Sequence, residues 1–318
     1  MAALTIRGFR FLLSTAALYF AAMLLLCHIR PRDRPLVFST GNYYNWPGGD
    51  TWERFHEYDP SVRQDAVIIG SSHAYRGYDP AIFTERGYNV FNLGSSAQTP
   101  LNTFHLIDAF LDSTTAPLLI MDVYEGPLMN NGLESTADLT QNQPSHRAAL
   151  GMVWALRDLR GLNMLALRLL NDRRTPYYTS PDYQGLGFAP MHDSAGTVAK
   201  DPSKAPAVSP RQQEFLRKCV EACRRKGIRI VFASHYARRN MRGPYHEALA
   251  RYMDSTLTGT GVPYIDLTNA PGIDDRNWFA DHNHLNATGA RIFTRQLVDS
   301  LEALGYLPRR PAPAGTRQ

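Results

Sequence analysis

The chain has 318 residues, of which 44% are hydrophobic and 20% charged, with a formal net charge of +5 and three cysteines. That length and balance suit one large α/β domain with insertions, or two modest domains, and exclude a disordered chain or a many-span membrane protein. The surplus arginines, as in "CRRKGIR" at 223–229, are scattered as on solvated helix faces and have no nucleic-acid motif beside them, and three cysteines make no disulfide framework.

Phe11 to Cys27, "FLLSTAALYFAAMLLLC", carries no charge. It makes roughly 26 Å of helix, enough for a hydrocarbon core of about 30 Å if Arg7, Arg10 and Arg30 snorkel. Residues 1–30 are therefore expected to form a single membrane anchor. A cleaved signal peptide is the rival, and the exit "LLLCHIRPRDRP" lacks the small residues such a site needs. Arginines 30, 32 and 34 follow the span just as 7 and 10 precede it, so the positive-inside count does not support an extracytoplasmic domain.

After a connector at 35–60, read as irregular, a strand-then-helix rhythm begins, the signature of a parallel sheet covered on both faces. Ala66 to Ile69 is the first strand, and Asp79-Pro80 open a short helix that Gly87 stops. "YNVFNL" is the second strand, ending at Gly94, and Thr99-Pro100 start a helix with Leu101, Phe104, Ile107, Phe110 and Leu111 facing inward. The third strand is "PLLIMDVY". Residues about 127–208 break the rhythm and read as an inserted lid or substrate-facing subdomain, with a helix around 147–171 and a tyrosine-rich loop. In that loop Tyr177, Tyr178, Tyr183 and Phe188 are weighed as a sugar-stacking surface against plain packing.

The rhythm resumes at Ser209-Pro210, where Gln212 suggests a capping box and Gly227 a stop. Cys219 and Cys223 fall on the apolar stripe of that helix and read as buried small side chains. "IRIVFAS" and "VPYIDL" are the fourth and fifth strands, and Asn286 caps a final helix carrying Phe293, Leu297, Leu301 and Leu304. Residues 31–308 thus form one domain, and 309–318 a disordered tail.

A serine becomes a useful nucleophile only when a base takes its proton and a third group holds the base. In "VIIGSSHAYRGYDP" a strand ends at Gly70, and Ser71, Ser72 and His73 follow. In "WFADHNHLNATGA", after the fifth strand, Asp281 precedes His284 by three residues, so one turn of backbone can bring carboxylate to imidazole. Both stretches lie at the carboxyl edge of the sheet, where active sites collect. A metal site on Asp281, His282 and His284 has too few ligands unless His73 or His235 joins, and none is expected.

On these blocks the chain resembles the SGNH (GDSL-like) hydrolases. Gly70-Ser71-Ser72 is similar to their G-D-S block with serine in place of aspartate, "FNLG" to their second block, and Asp281 with His284 to their last. The resemblance implies a flavodoxin-like three-layer α/β/α sandwich with a five-stranded parallel sheet, Ser72 as nucleophile, His284 as base, Asp281 as its orienter, and an oxyanion hole formed by the backbone N–H groups of Ser72 and Gly94. It implies no cofactor. The third block, an oxyanion-hole asparagine, is not reproduced in "IMDVYEGPLMNNG"; Asn130 or Asn131 is the candidate substitute. Ser71 and His73 are further candidates for substrate contact. The G-S-S variant with one N-terminal span also resembles the D-alanyl transfer protein of teichoic acid synthesis and the anchored alginate O-acetylation proteins. That implies an acylated sugar or polysaccharide as substrate, an extracytoplasmic domain and a membrane-bound O-acyltransferase as partner. The alternative is a catalytically silent glycan-binding or assembly subunit.

Overall fold

Five parallel strands are produced by five short apolar runs in the computed structural model, which describes residues 2–31, 35–39, 47–170, 174–192 and 207–310. They are β1 (Ala66–Ile69), β2 (Val90–Asn92), β3 (Leu118–Asp122), β4 (Arg229–Ser234) and β5 (Tyr264–Asp266), in the order β2-β1-β3-β4-β5. This is the flavodoxin-like order, with its switch point between β1 and β3. Val67 lies opposite Phe91 on one side and Leu119 on the other, and Ile120 pairs with Val231.

Alternation along each strand divides the core into two. Val67, Ile69, Leu119 and Met121 point to the face covered by α5 (Pro100–Phe110), α10 (Pro210–Lys226) and α11 (Pro244–Leu257). Ala66, Ile68, Leu118 and Ile120 point to the opposite face, covered by α4 (Pro80–Glu85) and α12 (Ala287–Ala303). All four residues of β1 are buried, as expected for a strand with helices on both sides. The three-layer sandwich is therefore as the sequence implies, with each strand one to three residues shorter than its apolar run or, for β1, equal to it.

Several helices depart from the sequence reading. The connector contains α2 (Gly49–Glu57), an amphipathic helix that buries Thr51, Arg54 and Phe55 on its inner side. The nucleophile turn runs straight into α3 (Ser72–Gly77), so the first crossover carries two short helices. The insertion begins with α6 (Glu125–Met129) and α7 (Leu133–Asn142), and the single helix expected around 147–171 is two, α8 (His146–Leu156) and α9 (Arg160–Leu170). Arg157 breaks it by adopting φ 54, and the Asp158 carboxylate restarts it by accepting the Arg160 N–H at 2.9 Å. α11 lies between β4 and β5: Gly243-Pro244 open it, and His246, Leu249, Met253 and Leu257 give its buried face.

No capping box forms at Ser209. Gln212 turns inward instead, accepting the Leu101 N–H at 3.1 Å and donating to the Asn130 carbonyl at 2.9 Å, which ties α10 to α5 and to the insertion. The box is at Thr99, whose N–H and hydroxyl both reach Asn102 Oδ1. At the N-terminus, α1 (Ala2–His28) is long and apolar enough to cross a membrane over Leu4–His28. Its Met23 and Cys27 are buried against Val37 and Leu167. Arg310, in the tail expected to lack order, pairs with Asp65 at 2.6 Å and packs over Tyr88; 311–318 lie outside the described residues.

Candidate active site

β1 ends at Gly70, whose φ of 156 and bare Cα let the chain cross β3 closely: a Cβ there would sit 2.6 Å from Asp122 Cβ. Ser71 then caps α3, its Oγ accepting the His73 N–H at 3.2 Å. Ser72, the first residue of α3, is thus fixed at the carboxyl edge of the sheet. On the far side, 280–284 form a tight loop closed by the Ala280 N–H on the His284 carbonyl at 2.9 Å.

These two segments bring the expected residues together. Ser72 Oγ is 2.8 Å from His284 Nε2, and His284 Nδ1 is 2.8 Å from Asp281 Oδ2. A carboxylate can only accept, so Nδ1 carries the proton and Nε2 is left to accept the serine hydroxyl. Asp281 Oδ1 also accepts the N–H groups of Asn283 at 2.9 Å and His284 at 2.8 Å. Burial alone would raise the Asp281 pKa, but the bond from the imidazole and the two backbone bonds outweigh it and hold the carboxyl well below its usual range. It is therefore ionised wherever the imidazole needs orienting.

The surroundings are apolar and aromatic. His73 is buried, stacked between Tyr124 at 3.6 Å and His235 at 4.0 Å, with its edge toward His284. Burial, with the neighbouring imidazoles, holds His73 neutral, and burial pulls His235 down to about 4. The pair is a neutral wall behind the base. Beside it, a narrow cleft is lined by Tyr124, Glu125, Arg238, His246 and Asn283 among others. His246 bridges Glu125 and Asp266 at 2.8 Å each. Burial opposes its charge, but the two carboxylates prevail and raise it to about 9.

Other expected residues fall elsewhere. Ser71 is 1% exposed, so it supports the turn and does not face a substrate. Asn130 and Asn131 spend their side-chain oxygens on the N–H groups of Gly132 and Leu133, within their own turn. The Gly94 N–H donates to Asn92 Oδ1 at 3.0 Å, so in this conformation it is not available to an oxyanion. Gly94 is needed for packing: a Cβ would lie 2.9 Å from Ala74 Cβ and 3.0 Å from Tyr75 N. Further along the same loop Ser95 N–H binds the Gly70 carbonyl at 3.0 Å, and Ala97 holds φ 47, a strained value for a residue with a Cβ. Neither the Ser72 nor the Ala97 N–H has an acceptor among the described residues. Tyr178 packs at Gly48 and Gly49, and the Tyr183 hydroxyl binds Glu57, so these two rings fasten the loop to α2. Among the described residues no group of three or more His, Cys, Asp or Glu is placed to hold a metal.

No protein-family model matches the sequence, and no curated protein does. Solved structures similar in chain course include a GDSL-like lipase of Bacteroides thetaiotaomicron, at 10% identity and TM-score 0.42, covering 80% of this chain and 98% of that one. Another is a catalytic variant of an acetylxylan esterase from Geobacillus stearothermophilus, at 12% identity and TM-score 0.41, covering 79% and 98%.

Proposed function

We propose that the protein is a serine esterase of the SGNH type that forms an acyl-serine intermediate. The observation that carries this reading is the unbroken relay from Ser72 Oγ to His284 to Asp281, with both links at 2.8 Å. His284 Nε2 takes the hydroxyl proton as Ser72 Oγ bonds to an ester carbonyl carbon. The N–H groups of Ser72 and Ala97 receive the oxyanion, in place of the Ser72 and Gly94 pair that the sequence suggests. The tetrahedral centre collapses, the C–O bond to the leaving alcohol breaks, and His284 returns the proton to that oxygen. Water, or a sugar hydroxyl if the enzyme is an O-acyltransferase, then repeats the steps in reverse.

The resemblance to envelope acylation proteins supports an acetylated carbohydrate as substrate, membrane anchoring through α1, an extracytoplasmic domain and a membrane-bound acyltransferase partner. The test is intact-mass labelling of the full chain in detergent with a fluorophosphonate, comparing wild type with Ser72→Ala, His284→Ala and Ser71→Ala. One adduct, lost in the first two variants and kept in the third, is expected. No adduct on folded wild type would overturn the reading in favour of a silent glycan-binding subunit.

A further inference from the structure

Directly beneath the nucleophile turn lies a carboxyl group that the relay does not use. Asp122, the last residue of β3, is 5% exposed and sits against the bare Cα of Gly70. Its Oδ1 accepts the Tyr78 hydroxyl at 2.8 Å, from the end of α3. Its Oδ2 faces Ser71 Oγ at 3.5 Å, the outer limit of a hydrogen bond. The same Oγ accepts the His73 N–H, so Ser71 links Asp122 to the first turn of α3, and Ser72 stands between the two contact points.

We infer that Asp122 is a positioning residue that sets the Gly70-Ser71-Ser72 turn through Ser71, with its ionised form holding Ser72 in the reactive geometry more firmly than its neutral form. This rests on the esterase reading of Ser72. An ionised acceptor makes a serine hydroxyl's hydrogen bond roughly twice as strong as a neutral one does, and shorter. At 3.5 Å the contact is long, and strengthening it by ionisation draws Ser71, and with it the cap of α3, toward β3. The groups that act on Asp122 are Tyr78 of α3, Ser71, Tyr124 and Glu125 beyond β3, and Tyr264 of β5, none of them a cation. Burial, aided by the Glu125 charge and opposed by the Tyr78 and Ser71 bonds, pushes its pKa up to about 7, so both forms are populated near neutrality.

The test is the second-order rate of fluorophosphonate labelling at Ser72 from pH 5.5 to 9, for the full-length wild type, Asp122→Asn and Ser71→Ala. The ratio of wild type to Asp122→Asn cancels whatever pH dependence the two proteins share. It is expected to be near 1 at low pH and to rise to about 10 above neutrality, since small displacements of a reacting group cost one to two orders of magnitude. Ser71→Ala should show the same rise, and the double variant should be no slower than either single one. A ratio independent of pH, whether at 1 or at any constant loss, overturns the inference. If Asp122→Asn does not fold, the Ser71→Ala ratio alone decides. Failure of wild type to label at any pH would remove the esterase reading instead.

Discussion

Replacing Asp281 with asparagine isolates the orienting role of the carboxylate. Oδ1 takes two backbone N–H groups, at 2.8 and 2.9 Å, and an amide oxygen can keep both. The other oxygen, 2.8 Å from His284 Nδ1, becomes an NH2 donor facing a donor. The imidazole relieves that conflict by moving its proton to Nε2, where it meets Ser72 Oγ and can no longer accept the hydroxyl proton. The loop keeps its shape and the base takes the wrong tautomer. Loss of labelling rate on the order of 10⁴ is expected, about 5.5 kcal/mol of barrier, with folding stability changed by roughly 1 kcal/mol or less. Labelling kinetics and thermal unfolding on the same sample separate the two effects. A variant that melts like wild type and retains more than about a tenth of the rate would show that Asp281 does not orient the base.

Three other outcomes are expected. Gly94→Ala should lose about 1–3 kcal/mol in denaturant titration, because the added methyl meets Ala74 and the backbone of Tyr75. His246→Ala should cost about 3–5 kcal/mol, leaving Glu125 and Asp266 without the cation between them. Because the His246 pKa is raised on folding, its contribution is full below about 6.5 and lost as pH rises through about 9, so the variant's alkaline melting limb should be flatter than that of wild type. In a crystal structure of the phosphonylated enzyme, the phosphoryl oxygen should lie within about 3 Å of the N–H groups of Ser72 and Ala97, with Gly94 N–H still on Asn92. An oxygen bound to Gly94 would restore the pairing that the sequence suggests.

The sheet was legible in the sequence because strands and caps depend on local pattern, and the relay because its blocks resemble those of the SGNH hydrolases. β1, the helix after Asp79-Pro80 and the cap at Asn286 all announce themselves within a few residues, and Asp281 and His284 share one turn. The oxyanion loop was not legible, since nothing in "FNLGSSAQT" tells that Asn92 folds back onto the Gly94 N–H while Ala97 takes a glycine-like φ. Tertiary contacts decided both. The helices of the insertion were hidden for another reason. α7 buries Ser135, Thr136, Thr140, Gln141 and Asn142, polar residues that carry no hydrophobic period, and Asp158 restarts a helix in the middle of what reads as one. The lone acidic residue at the end of the apolar strand "LLIMD" was the one available signal for Asp122.

Residues 184–191 run as a strap across the carboxyl edge. The Asn92 N–H binds the Leu186 carbonyl, the Ala189 N–H binds the Tyr75 carbonyl at the end of α3, and the Ala287 N–H binds the Met191 carbonyl three residues beyond His284. One short segment therefore splints the serine-bearing helix to the histidine-bearing loop and to the last residue of the outer strand. This part of the insertion therefore belongs to the framework that holds the serine and the histidine together. Cutting the strap would free the two halves of the relay from each other, so a nick between 184 and 191 in limited proteolysis should abolish fluorophosphonate labelling at Ser72 before the domain unfolds.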